Sequence, residues 1–395
     1  MIFYSHCFSL FELSKPYNSV KVATLKHSLI ILKFVDKITS IFRINIMQFK
    51  PLGQTGILVP EICLGTMTFG EQNTQHEAFQ QLDYALDRGL SFWDTAEMYP
   101  VTPKPETQGA TEQIIGNWIA ERGGRDKIFI ASKIAGPSQG GSHIRDGNTR
   151  FNKSDIESAL DGNLKRLQTD YIDLYQLHWP QRPTNFFGKL GYGNQESTLT
   201  TDITPLEETL SALKDEIDKG RIRSIGLSNE TPWGTMKFLQ LAEKLGMEKF
   251  FSVQNPYNLL NRTYEVGMSE IAHYEGVGLL AYSPLAFGYL TGKFRNGARP
   301  PNARITLYSR FSRYSNPESL WATEQYAQLA EQHGLTLTQL ALAFIKQQFF
   351  VTSTIIGATN LEQLKENIDA FDITLSDEVL QGVEAIHKQQ PNPAP

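Results

Sequence analysis

The chain has 395 residues, of which 41% are hydrophobic and 20% charged. That is enough to bury a large core, and it excludes a small stapled scaffold or a largely disordered chain. Its 37 basic and 42 acidic residues leave a net charge of -5, which gives no bulk attraction to nucleic acid or to an anionic membrane surface. Cys7 and Cys63 belong to no C-x-x-C or Cys/His cluster, so a metal-free, cytoplasmic protein is expected.

Residues 1–46 carry Lys15, Lys21, Lys26, Lys33, Lys37 and Arg43 against only Glu12 and Asp36. Their apolar run, Leu29-Ile30-Ile31-Leu32, falls far short of the ~20 residues of a membrane helix. A secretory signal would place a basic region before a continuous apolar core and follow it with a small-residue cleavage site, and neither arrangement is clear here, so none is expected. The expectation is a poorly ordered N-terminal extension, or a misassigned start ahead of Met47, followed by one domain over 47–395.

Phe49 to Val59, around Gly53 and Gly56, reads as a hairpin able to plug the bottom of a barrel. After it come eight strand candidates: Ile62 to Met67, Leu90 to Ala96, Ile128 to Ile134, Asp173 to Trp179, Ile222 to Asn229, Phe251 to Tyr257, Gly278 to Ser283 and Thr352 to Ala358. Several are continuously apolar, as parallel strands covered on both faces are. Amphipathic helical stretches separate them, including Gln75–Arg88, Ser154–Leu167, Pro205–Lys219 and Thr231–Leu245. Ser154 with Glu157 reads as a capping box, and Thr204-Pro205 as a cap before a first-turn proline. Eight such units predict an α/β fold, a closed (β/α)₈ TIM barrel, with long loops Gln181–Thr201 and Ala286–Pro317 after the fourth and seventh strands. A doubly wound dinucleotide fold is the rival, but no G-x-G-x-x-G follows the first strand. The proline-rich end, Gln389 to Pro395, is expected along the surface.

Barrel active sites sit at the C-terminal ends of the strands. There, Asp94, Lys133 and His178 each end an apolar run on three successive strands, where a charge or imidazole is costly unless paired or functional. With Tyr99 they make a consistent chemistry. A phenol with a pKa near ~10 is a weak acid at neutral pH, and a Lys133 cation held by Asp94 favours the phenolate left after proton transfer. His178 then polarises a carbonyl oxygen, leaving Tyr99 as the general acid.

The segments Gly65-Thr-Met-Thr-Phe-Gly70, Trp93-Asp-Thr-Ala-Glu-Met-Tyr99, Ile130-Ala-Ser-Lys133 and Leu164 to Pro180 resemble the aldo-keto reductases. The likeness covers roughly 47–388. Ala96-Glu-Met-Tyr-Pro100, Pro105-Glu-Thr-Gln-Gly109 and His178-Trp-Pro-Gln-Arg-Pro-Thr184 resemble more narrowly the bacterial Tas-type reductases, near the potassium-channel β-subunit branch. The resemblance implies reduction of an aldehyde or ketone with NADPH, that is, NADP as the cofactor. It implies that Ser228, Asn229 and Gln254 bind the nicotinamide carboxamide and that Tyr282 stacks on the ring. Ser283, Pro284, Leu285, Ala286, Phe287, Gly288, Tyr289, Leu290, Thr291, Gly292 and Lys293 would wrap the pyrophosphate, and Gly357, Ala358, Thr359, Gln363 and Asn367 would hold the adenosine end.

One feature is independent of the resemblance. Ala286 to Pro317 contains Lys293, Arg295, Arg299, Arg304, Arg310 and Arg313 and no Asp or Glu, which favours a bound polyanion such as a 2'-phosphorylated cofactor. No nucleic-acid motif accompanies it. Trp93, Met98 and Trp179 are candidate substrate walls, with Phe186, Phe187 and Tyr192 on a rim. The partners implied are a small-molecule carbonyl substrate and, through the relatives, a possible homo-oligomer, with no nucleic acid and no membrane span. Two other readings are a cofactor-binding regulatory subunit with little turnover, and a barrel hydrolase, for which Asp94 and Glu97 are the one nearby carboxylate pair.

Overall fold

The computed structural model describes residues 47–137, 143–189, 191–192, 203–247 and 250–394. The chain divides at Met47 into two units, and the expectation for 1–46 lies outside the described residues. Strands β1 (Phe49–Pro51) and β2 (Leu58–Pro60) form the expected antiparallel hairpin, Phe49 opposite Pro60. Gly53 and Gly56 turn it at φ of 55° and 73°, backbone that glycine adopts without penalty.

Eight parallel strands then close a barrel: β3 (Ile62–Gly65), β4 (Phe92–Asp94), β5 (Phe129–Ile134), β6 (Ile172–Leu177), β7 (Ile222–Ser228), β8 (Phe250–Pro256), β9 (Gly278–Tyr282) and β10 (Val351–Ile356). Each pairs with its neighbours in the chain, and β10 pairs with β3 to close the ring. All eight expected strands are present, with ends that coincide or differ by one or two residues. The helices are α1 (Gln75–Asp87), α2 (Ala110–Arg122), α3 (Lys153–Leu167), α4 (Leu206–Asp218), α5 (Pro232–Lys244), α6 (Met268–Glu275), α7 (Arg304–Leu307), α8 (Pro317–Gln332), α9 (Leu337–Lys346), α10 (Leu361–Asp369) and α11 (Asp377–Gln389). No helix among the described residues is long and apolar enough to cross a membrane.

Two helix starts differ from expectation. Helix α3 is capped by Asn152, whose Oδ1 accepts from the Asp155 N–H at 2.9 Å, while Ser154 Oγ merely donates to that same oxygen. Helix α4 has Pro205 at the cap position with no side-chain cap, so Thr204 does not serve. The full capping boxes are instead Thr74 with Glu77 on α1 and Thr336 with Gln339 on α9. The chain end also departs from a surface course. Ala394 is buried and donates its N–H to Leu260 O, and Asn392 Oδ1 accepts from Arg262 N.

Alternation along the strands sorts the core into two regions. Trp93, Ile130, Tyr175 and Leu227 face outward against the helices. Inside the barrel, Cys63, Phe92, Ala131, Leu174, Leu280 and Ile355 pack with Leu52 and Val59 of the hairpin, so the hairpin supplies side chains to the floor. Cys63 is buried, and burial pushes its thiol well above the usual range, which fits apolar packing rather than reactivity. Leu52→Ala should leave a cavity in that floor and lower stability by about 2–5 kcal/mol, measured as a shift of the urea unfolding midpoint.

Candidate active site

One layer above the apolar floor the same alternation places polar side chains. Phe92 and Asp94 on β4, Ala131 and Lys133 on β5, and Leu174 and Gln176 on β6 are two residues apart and share the inward face. Lys133 and Gln176 are register partners, as are Ser228 and Gln254. Lys133 is fully buried and donates to Asp94 Oδ2 at 2.7 Å and to Thr95 O at 2.8 Å. Asp94 Oδ1 accepts from Gln254 Nε2 at 2.8 Å and Gln176 Nε2 at 3.4 Å. Both carboxylate oxygens are thus engaged, which burial of an ion pair requires.

The Lys133 ammonium lies 4.9 Å from the centre of the Tyr99 ring, and the Tyr99 and His178 rings meet edge to face at 5.8 Å. Burial opposes the Lys133 cation, but the Asp94 carboxylate and Tyr99 outweigh it and hold its pKa above the ordinary lysine value. Burial raises the Tyr99 phenol; Lys133 and Arg304 pull it back, while Asp94 adds to the rise. Burial, and then the Lys133 cation, push His178 well below the usual histidine range, so its imidazole is neutral at pH 7. His178 Nδ1 is buried with no hydrogen-bond partner among the described residues.

Asp94, Tyr99 and His178 line a cavity of about 1440 Å³ at the C-terminal mouth of the barrel; Lys133 lies behind them. Ser228, Asn229, Gln254, Tyr282, Ser283, Pro284, Leu285, Phe287, Gly288, Thr291, Lys293, Gly357, Ala358, Thr359, Gln363 and Asn367 also line it. Ala286, Tyr289, Leu290 and Gly292 do not: the first three are buried in the outer core, and Gly292 closes the turn at φ of 78°. Trp93 is no cavity wall either; it packs edge to face on Trp118 and donates its indole N–H to Leu90 O. Met98, Trp179, Phe186 and Phe187 do reach the cavity, whereas Tyr192 is exposed and outside its lining. Of the six loop cations, Lys293, Arg304, Arg310 and Arg313 line the cavity, and Arg295 is instead paired with Glu324 and Glu331.

One support was not singled out in the sequence, and a second was read there in another role. Gln176 could have been read from strand alternation as an inward polar residue in an apolar run. Glu97, two residues before Tyr99, is buried; its carboxylate accepts from Ala135 N at 2.5 Å and from Arg145 Nη2 at 2.9 Å, and its own N–H donates to Lys133 O. This ties the loop bearing Tyr99 to the strand bearing Lys133, and it removes Glu97 from any carboxylate pair with Asp94. No cluster of potential metal ligands exists among the described residues. Glu97→Gln should destabilise the protein by about 3–5 kcal/mol by stranding Arg145, and adding Arg145→Met should recover part of that loss, as read by urea denaturation.

The family model described as "Aldo/keto reductase family" matches residues 61–388. The chain is 50% identical over 349 residues to "Protein tas" of Escherichia coli (strain K12), covering 88% of this chain and all of that protein. It is 34% identical over 339 residues to "Uncharacterized oxidoreductase YrpG" of Bacillus subtilis (strain 168), covering 85% of this chain and 94% of that protein. It is 31% identical over 357 residues to "Probable voltage-gated potassium channel subunit beta" of Arabidopsis thaliana, with 87% and 98% covered. Joined to a closed eightfold barrel with the Asp94, Tyr99, Lys133 and His178 cluster at its mouth, these matches place the chain in the aldo/keto reductase family, close to the bacterial Tas-type reductases.

Proposed function

We propose that the protein is an NADPH-dependent reductase that converts the carbonyl of an aldehyde or ketone to an alcohol, with Tyr99 as the proton donor. The observation that carries this reading is the Lys133–Asp94 ion pair buried directly behind Tyr99. A protonated, raised phenol beside a fixed cation is an acid whose conjugate base is stabilised the moment it forms. His178, kept neutral, hydrogen-bonds and orients the carbonyl oxygen.

The cavity residues fit the dinucleotide. A volume of about 1440 Å³ exceeds the ~300–1,000 Å³ of most small-ligand pockets. Lys293 and Arg304 line it without a carboxylate partner among the described residues and would hold phosphates. Gly288 sits at φ of 99°, backbone that a side chain rarely adopts, so glycine permits the turn that leads to Lys293. Asn229 and Gln254 spend their amide N–H groups within the protein, on His178 O and Ser228 Oγ and on Asp94 and Gln176. Each retains a carbonyl lone pair to accept from a carboxamide N–H. Tyr282, fixed by its bond to Asn229 Oδ1 at 2.7 Å, faces the nicotinamide; Thr359, Gln363 and Asn367 serve the adenosine end. When bound, the reduced nicotinamide supplies the hydride. Met98, Trp179, Phe186 and Phe187 shield the reacting carbonyl from water.

Tyr99→Phe should lower kcat for aldehyde reduction about 10²–10⁴-fold while NADPH, titrated by fluorescence, still binds. Reduction requires the protonated phenol and the neutral imidazole. Because the Tyr99 pKa is raised and that of His178 lowered, kcat/KM should stay flat from about pH 6 to 9 and fall only as Tyr99 deprotonates above ~10. NADPH binding with no reduction of any aldehyde would favour the regulatory-subunit reading, which the likeness to channel subunits supports.

A further inference from the structure

Three arginines surround one aromatic cluster on the cavity wall. Phe287 packs edge to face against Phe311 at 5.2 Å and Tyr314 at 4.9 Å. The Arg304 and Arg313 guanidiniums each lie 5.8 Å from the Phe287 ring centre, and that of Arg310 lies 5.1 Å from Phe311. With Lys293, four cations line the cavity, and its lining carboxylates are Asp94, already bound to Lys133, and Glu366. Cations crowded without carboxylates on a partly desolvated wall are unfavourable until anions arrive.

The four divide by position. Lys293 and Arg304 repel one another electrostatically; both would hold cofactor phosphates, and Arg304, which lies beyond the Ser283–Lys293 stretch, also acts on the Tyr99 phenol. Arg313 lies instead beside the Tyr282 and Tyr314 hydroxyls, and Tyr282 is bonded to Asn229, which holds the backbone of His178. A Cβ at Gly188 would meet Arg313 Nε at 2.9 Å, so the loop after β6 packs onto this side chain where the two long loops meet. One of its terminal nitrogens, Nη1, is buried with no partner. This is the nicotinamide end of the cavity, next to the reacting carbonyl and away from the adenosine residues Thr359 and Gln363.

We propose that Arg313, assisted by Arg310, receives an anionic group on the substrate itself, so that the substrate is a carbonyl compound bearing a carboxylate or a phosphate. The inference rests on the reductase reading. A planar guanidinium suits either anion through paired N–H donors.

The test uses NADP⁺-loaded protein and calorimetric titration with 4-carboxybenzyl alcohol and 4-methylbenzyl alcohol, alongside kcat/KM for the corresponding aldehydes. Glyceraldehyde 3-phosphate against glyceraldehyde reads the phosphate case, and the larger ratio identifies the anion. The anionic member of a pair should be favoured by about 10-fold or more. Arg313→Met should bring that ratio close to one and Arg310→Met should reduce it. Arg299→Gln, an exposed loop position outside the cavity lining, removes the same charge and should leave the ratio unchanged. Equal affinity for charged and neutral members would overturn the inference while leaving the reductase reading intact. So would an unchanged ratio with weakened NADPH binding in Arg313→Met, which would assign that arginine to the cofactor. Absence of nucleotide binding and of all turnover would sink the reductase reading and this inference with it.

Discussion

A lysine ammonium buried to zero exposure is tolerated only where its charge is answered, and the chemistry of this site follows from how Lys133 is answered. Asp94 supplies the charge, Thr95 O a further acceptor, and Gln176 and Gln254 occupy the second carboxylate oxygen. Four strands thereby fix one ion pair at one height in the barrel. Beneath it lies an apolar floor closed by Leu52 and Val59 of the hairpin, which keeps water from solvating the pair from below. Above it lies Tyr99, whose phenol experiences burial, a cation and a carboxylate together. Strand register sets the geometry of the pair, and the loop after β4 carries Tyr99 over it.

The loops meet a different requirement. The floor and ion pair are neutral as a unit, but the wall formed by the segment after β9 is cationic and largely unanswered within the protein. Arg295 shows what the same chain does with a structural arginine, pairing it with two glutamates on α8. Lys293, Arg304, Arg310 and Arg313 have no such partners, and their company is aromatic. Strands fix the buried pair and loops carry the cations that face the cavity, a division that lets barrels vary their ligands by varying their loops.

Most of the architecture was legible because strand and helix periods differ and each strand lies beside its chain neighbour. Asp94, Lys133 and His178 stood out as polar residues ending apolar runs. What was not legible depended on direction rather than type. Trp93 is adjacent to Asp94, yet alternation turns it outward onto Trp118. Ala286, Tyr289 and Leu290 sit in a segment that wraps the cavity, but its kinked backbone, with φ of 55° at Phe287, sends those side chains into the core. Glu97 looked like half of a carboxylate pair until Arg145, 48 positions later, reached it. Asn152 took the cap from Ser154 because its amide oxygen spans to the Asp155 N–H. The docking of Asn392 and Ala394 on residues near Leu260 left no local signal in a proline-rich tail.

The proposed role of the Lys133–Asp94 pair is to make Tyr99 a proton donor. It is tested most directly by single-turnover reduction of 4-methylbenzaldehyde with NADPH, followed by nicotinamide absorbance from neutral to alkaline pH. The wild type is compared with the Asp94→Asn/Lys133→Met double variant, which removes the pair without stranding a buried charge. NADPH should bind both, with a rate at least ~100-fold lower in the variant and a marked change in the alkaline limb that Tyr99 sets. Equal rates with superimposable pH profiles would contradict it.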